Sequence, residues 1–179
     1  MRIPSMTLLS PPLKPLRTFA TCIGSIWTRW PVVDRDRILA ELDQLEGYLQ
    51  ELRQVLPETF GEYQKVEKKR ACERLLQIAI EATIDICHMF VRAMRLGLPS
   101  EEDDVFEKPS QAEVVSPQMV ATLKRMKGLH NILVHEYSRV DDRIVYEQAH
   151  KGIQDFARFK EEILAALARI EAKNNAFGA

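Results

Sequence analysis

The sequence predicts an all-α protein, a four-helix up-and-down bundle with a tail outside its core. Three observations predict it. Apolar residues recur in steps of three and four along four stretches between Asp34 and Ala172. No stretch alternates with the period of two that a half-buried strand requires. Only 7 glycines occur in 179 residues, so few points interrupt a helix, and the length suits one domain.

Residues 1–33 contain Pro4, Pro11, Pro12, Pro15 and Pro31 and show no sustained period, so they are expected as a tail, disordered or lying ahead of a true start near Val33. The prolines and Lys14 also break the apolar run that a secretory leader needs. Patterning begins at Asp34, with Ile38, Leu42, Leu45, Leu49, Leu52 and Leu56 marking the first helix, which Pro57 ends. Thr59 followed by Glu62 is a capping-box signal for a second helix, expected to run on to about Leu96, where "GLP" stops it. Its middle, Leu75 to Met89, is apolar on most faces and should be the centre of the core.

"PSEEDDVFEKPSQAEVV" is acidic and punctuated by proline, which predicts a connection with at most one short helix. Ser116 before Pro117 caps a third long helix ending in "GLHNILVHEY". Asp141 or Asp142 caps the last. Its inner face should carry Ile144, Val145, Ala149, Ile153, Phe156, Phe159, Ile163, Leu164 and Leu167. The domain is expected over 34–172, with 173–179 as a second tail.

The charge bounds the function. Net charge is −1, and because residues 1–33 hold four basic residues and no acid, the body is mildly acidic. That excludes a broad nucleic-acid-coating surface, so any RNA contact must be local. No run reaches the roughly 20 apolar residues of a spanning helix, and no membrane contact is expected. The three cysteines Cys22, Cys72 and Cys87 form no close pair, which suits a reduced cytoplasm. Cys87 and His88 point about 100° apart on a helix and have no second pair to complete a metal site, so no metal or cofactor is expected.

"GLHNILVHEY", residues 128–137, concentrates the chemistry. Its histidines are either edge groups satisfied by solvent or members of a pocket walled by Leu129, Ile132, Leu133 and Val134. On an ideal helix Tyr137 lies about 20° from His130, whereas His135 lies about 140° away. The three converge only if the helix ends near His135, or if a symmetric second copy supplies the missing side. Glu81 and Asp85 are expected to be solvated, and His150 to be a surface residue.

"GLHNILVHEYSRVDDRIVYE", with "ERLLQIAIEATID" upstream, resembles the HepT-like family of the HEPN superfamily, small helical ribonuclease toxins, over roughly Asp34 to Ala172. The family signature reads G-F-R-N-x-L-V-H-x-Y followed by V-D. Gly128, Asn131, Leu133, Val134, His135, Tyr137, Val140 and Asp141 match it, while His130 stands where the family has arginine. The resemblance implies a HEPN-like bundle, a homodimer, an RNA substrate, and a partner nucleotidyltransferase antitoxin that transfers AMP to the tyrosine, here Tyr137. It implies that His135 is the general base toward the ribose 2′-hydroxyl, with Asn131 and His130 beside it. A histidine lacks the planar fork with which arginine holds two phosphate oxygens. Two substitutes are open: His130 as a general acid, or Lys127, one turn earlier, as a phosphate contact. A catalytically degenerate subunit that binds or regulates the nucleotidyltransferase is the alternative.

Overall fold

The computed structural model describes residues 33–135 and 141–177. They form α1 (Arg35–Val55), α2 (Phe60–Tyr63), α3 (Val66–Ala93), α4 (Asp104–Gln111), α5 (Pro117–His135) and α6 (Asp142–Phe177). Among the described residues there is no strand. The four long helices are the bundle predicted from periodicity, and the two short ones lie in its connections. Of residues 1–33 only Val33 is described, and it packs against the core.

Cross-links between distant residues set the direction of the helices. At one end of the bundle Tyr146 donates its hydroxyl to the Glu58 carbonyl at 2.6 Å, and the Lys69 ammonium meets Asp142 at 2.5 Å. At the other end Arg35 pairs with Glu171 at 2.7 Å, and Ser116 gives both its backbone N–H and its hydroxyl to the Glu162 carboxylate. The start of α6 therefore sits beside the end of α1 and the start of α3, and the bundle runs up and down. α5 returns toward the end where α6 begins, which brings His135 there.

Each element follows from local chemistry. Asp34 caps α1 by accepting from the Arg37 N–H, and Ile38, Leu42, Leu45, Leu49 and Leu52 are all buried. Thr59 accepts from the Glu62 N–H at 3.3 Å, so the predicted cap forms. The continuous helix expected from there to Leu96 does not: the chain breaks at Gln64 and Lys65. Tyr63 and Cys72 are both fully buried, yet nine residues on one straight helix place them half a turn apart. The break lets both face inward. Burial, followed by the nearby Glu73, pushes the Tyr63 phenol well above the ordinary tyrosine range.

α3 ends in a Schellman arrangement, with Arg95 N–H bonding the Arg92 carbonyl and Leu96 N–H bonding the Val91 carbonyl. The left-handed residue that closes this arrangement is Arg95, at φ 53°, and the glycine of "GLP", Gly97, follows at φ 84°. A side chain there costs roughly 1 kcal/mol relative to glycine. In α6, Val145, Ala149, Phe156, Phe159, Ile163 and Leu167 are buried as expected, whereas Ile144 and Leu164 are exposed. Each is the neighbour of a buried residue, and successive residues point about 100° apart, so one stripe cannot hold both. The last helix continues past 172 to Phe177, because nothing between Ala172 and Phe177 breaks it.

Cys87 lies sealed in the core, where burial alone pushes its thiol up to about 12, while His88 is half-buried at the surface. The two side chains do not share a site. Among the described residues no helix is long and apolar enough to cross a membrane.

Candidate functional site

α5 presents three faces, and each takes a different part of the predicted site. Met119, Leu123, Met126 and Leu133 are buried in steps that include position 130, so His130 occupies a core-facing position. It is half-buried, and its Nδ1 is shielded from solvent with no hydrogen-bond partner among the described residues. A second face runs through Arg125, Gly128 and Ile132, with His135 at its edge. His135 is the last residue of α5 and is exposed. The third face carries Lys124, Lys127 and the exposed Asn131.

The described part of α5 ends at His135. Along α5 itself the two histidines remain about 140° apart. Tyr137, with Glu136 and Val140, lies outside the described residues. Beyond them Asp141 caps α6, accepting from the N–H groups of Arg143 at 2.9 Å and Ile144 at 3.4 Å.

Lys127 is paired with acids of the α3–α4 connection. Its ammonium lies 2.7 Å from Glu102 and 3.5 Å from Asp103, and only 16% of its side chain is exposed. Lys124 is held likewise by Glu107 at 2.7 Å and Asp103 at 3.2 Å, hydrogen bonds that raise its pKa. The acidic connection thus lies over the third face of α5 and meets its cations with carboxylates, as a phosphate backbone would. Removing those charges in Glu102→Gln/Asp103→Asn is expected to tighten RNA binding several-fold at low salt. The gain should vanish at high salt, as checked by fluorescence polarisation of a labelled oligoribonucleotide across a salt series.

The second face borders an apolar groove of about 300 Å³ between α5 and α6, floored by Leu76, Ile80 and Phe156 and walled by Leu129, Ile132 and Ile144. Gly128 and Gly152 keep the opposing walls low, and a Cβ built on Gly128 would meet nothing within 4 Å. Arg125 stands on one wall and Asp155 on the other. His135 is not part of the groove lining: one turn beyond Ile132, it points about 60° from it, between this face and that of Lys124 and Asn131. Sequence reasoning did not identify the groove. Its signals were Ile132 and Ile144, apolar residues off the core stripes, and one glycine in each helix. Glu81 and Asp85 are exposed, and His150 is exposed with its Nε2 3.3 Å from the Pro57 carbonyl. Among the described residues no three His, Cys, Asp or Glu side chains gather as a metal site.

Residues 45–163 match the family described as "Ribonuclease HepT-like". The chain is 34% identical over 90 residues to the "mRNA nuclease HepT" of Shewanella oneidensis, covering half of this chain and 68% of that protein. It is 24% identical over 139 residues to the "tRNA nuclease HepT" of Aphanizomenon flos-aquae, covering 77% of this chain and 95% of the relative. Among solved structures it superposes, with a TM-score of 0.68 and 28% identity, on a tri-AMPylated HEPN toxin of Shewanella oneidensis in complex with MNT antitoxin. That match covers 73% of this chain and 98% of the other. A crystal structure of a toxin–antitoxin with AMP-PNP matches equally well, at a TM-score of 0.68 and 27% identity, covering 73% of this chain and 98% of the other.

Proposed function

This chain belongs to the HepT-like ribonuclease family, and on that premise we propose that it is the metal-independent endoribonuclease toxin of a type VII toxin–antitoxin pair, silenced when a nucleotidyltransferase antitoxin transfers AMP to Tyr137. The observation that carries the reading is the exposed imidazole of His135 at the last described residue of α5, one turn beyond Ile132 on the groove wall. His135 takes the proton from a ribose 2′-hydroxyl, whose oxygen attacks the adjacent phosphorus while the bond to the 5′-oxygen breaks. The leaving 5′-oxygen takes a proton from the second imidazole of the site, His130. Asn131, exposed one residue from His130, is the neutral donor for a phosphate oxygen.

One protomer keeps its two histidines on different faces, so the reaction needs a second copy. The α5–α6 groove suits one: it is apolar, and its opposed Arg125 and Asp155 are complementary to their own images under a two-fold axis. Arg125 donates to the Thr122 hydroxyl and meets no carboxylate within its own chain among the described residues. A two-fold axis near Ile132 brings a second α5 end toward His135.

The second reading, a degenerate subunit that regulates its nucleotidyltransferase without cutting RNA, is favoured by the sealed Nδ1 of His130 and by the occupied ammonium of Lys127. Expression without the partner separates the two. A toxin arrests growth, and a nucleotidyltransferase supplied with radiolabelled ATP labels the wild-type protein but not Tyr137→Phe. If wild-type protein is harmless and only His130→Arg arrests growth, the regulatory reading holds.

A further inference from the structure

A second concave site lies at the far end of α3, away from the histidines of α5. It is a groove of about 430 Å³ lined by His88, Val91, Arg92, Arg95, Gly97, Leu98 and Pro99. That volume falls within the range of roughly 300–1,000 Å³ that small-ligand sites occupy.

Its charge is unbalanced. Neither Arg92 nor Arg95 has an ion pair or hydrogen bond from its side chain to any described residue. The ammonium of Lys108 joins them: it donates to the Leu96 carbonyl at 3.2 Å and would lie 3.4 Å from a Cβ built on Gly97. Among the described residues the acid that bears on His88 is Asp85, one turn back on α3, and it does not offset the cations: burial, then Arg92, lowers the His88 pKa despite it. Two guanidinium groups lining one groove, with the Lys108 ammonium near Gly97 at its edge although Asp104 acts on that ammonium, are arranged for an anion.

Two further observations point to a ligand. Arg95 holds a left-handed backbone that favours glycine, at φ 53°, two residues before Gly97, which is itself at φ 84°. The strain is kept where it places a guanidinium at the groove. Beside the cations Leu98 is 92% exposed, and with the exposed Pro99 it makes an apolar plate that the fold does not cover.

We propose that this groove binds a nucleoside phosphate, with the phosphate between Arg92, Arg95 and Lys108 and the base against Leu98 and Pro99. An acidic side chain from another protein would satisfy the cations but would leave the plate bare. The chemistry is shared by a free mononucleotide and by one unit of an RNA strand. The site is independent of the nuclease reading, because none of its residues belongs to α5 or to residues 136–140.

The experiment titrates AMP, inorganic phosphate and a labelled oligoribonucleotide into the full chain and into Arg95→Gly, Arg92→Ala and Leu98→Ser. Arg95→Gly is informative because it removes the charge and the backbone strain together: Tm should rise while AMP affinity falls about tenfold or more. Leu98→Ser should weaken AMP and leave inorganic phosphate unchanged. If Arg92→Ala and Arg95→Gly weaken RNA along with AMP, the ligand is a unit of the strand; if RNA binding is untouched, it is the free nucleotide. AMP and RNA binding unchanged in both arginine variants would overturn the proposal, even where His135 proves essential for cleavage. Arginine-dependent AMP binding in a chain that cuts no RNA would leave the proposal standing and remove the nuclease reading alone.

Discussion

His135→Ala is expected to lower RNA cleavage by about 10²- to 10⁴-fold, the usual loss when a positioned general base is removed. Thermal stability should barely change. The imidazole is exposed at the last residue of α5, and substitutions at such positions stay within about 0.5 kcal/mol. The pairing of a large kinetic effect with a negligible thermal one is the test, since a structural histidine gives the opposite pair. His130→Ala is the internal contrast. Its side chain is half-buried on the stripe that includes Met126 and Leu133, with a shielded Nδ1, so its removal costs stability as well as activity. Cleavage by His135→Ala at the wild-type rate, measured on the same oligoribonucleotide, would end the proposal that this residue is the base.

The difference between the histidines also shows what was legible in advance. α1 was readable nearly to the residue, Leu56 falling just outside it as the C-cap, because its inward positions are all leucine or isoleucine at helical spacing, and its stops, Asp34 and Pro57, act locally. The cap residues Thr59, Ser116 and Asp141 were readable for the same reason: each bonds a backbone N–H two or three residues on. The break after Tyr63 was not, because it arises from burying two side chains that a straight helix would set apart. Nor was the occupation of Lys127, since its partners Glu102 and Asp103 are brought to it by the packing of the α3–α4 connection on α5. The motif supplied the residues of the candidate site. The faces they occupy depend on which stripe of α5 enters the core, and Met119, Leu123 and Met126 decide that.

The α5–α6 groove carries the second large effect. Phe156 and Phe159 are both buried on α6, with 1% and 0% of their surfaces exposed, and replacing either by alanine removes a ring from the core. Such changes cost about 3–5 kcal/mol, which for a chain of this size lowers Tm by roughly 10 °C. Phe159→Ala should sit at the upper end of that range, because its ring is fully enclosed and the cavity left behind is dry. Phe156 floors the groove, so its removal deepens an opening that water already reaches, and the cost falls to the lower end. The ordering changes if a second copy covers the groove. The dimer then seals the site of Phe156, and the same substitution weakens association as well as folding. Tm of Phe156→Ala should in that case rise steeply with protein concentration, while the deficit of Phe159→Ala relative to wild type stays constant. Calorimetry of both variants across a hundredfold range of concentration reads this directly. A concentration-independent Tm for Phe156→Ala, matched by a monomeric mass in light scattering, would remove the second copy from the groove and leave His135 without the opposing face that the cleavage scheme requires.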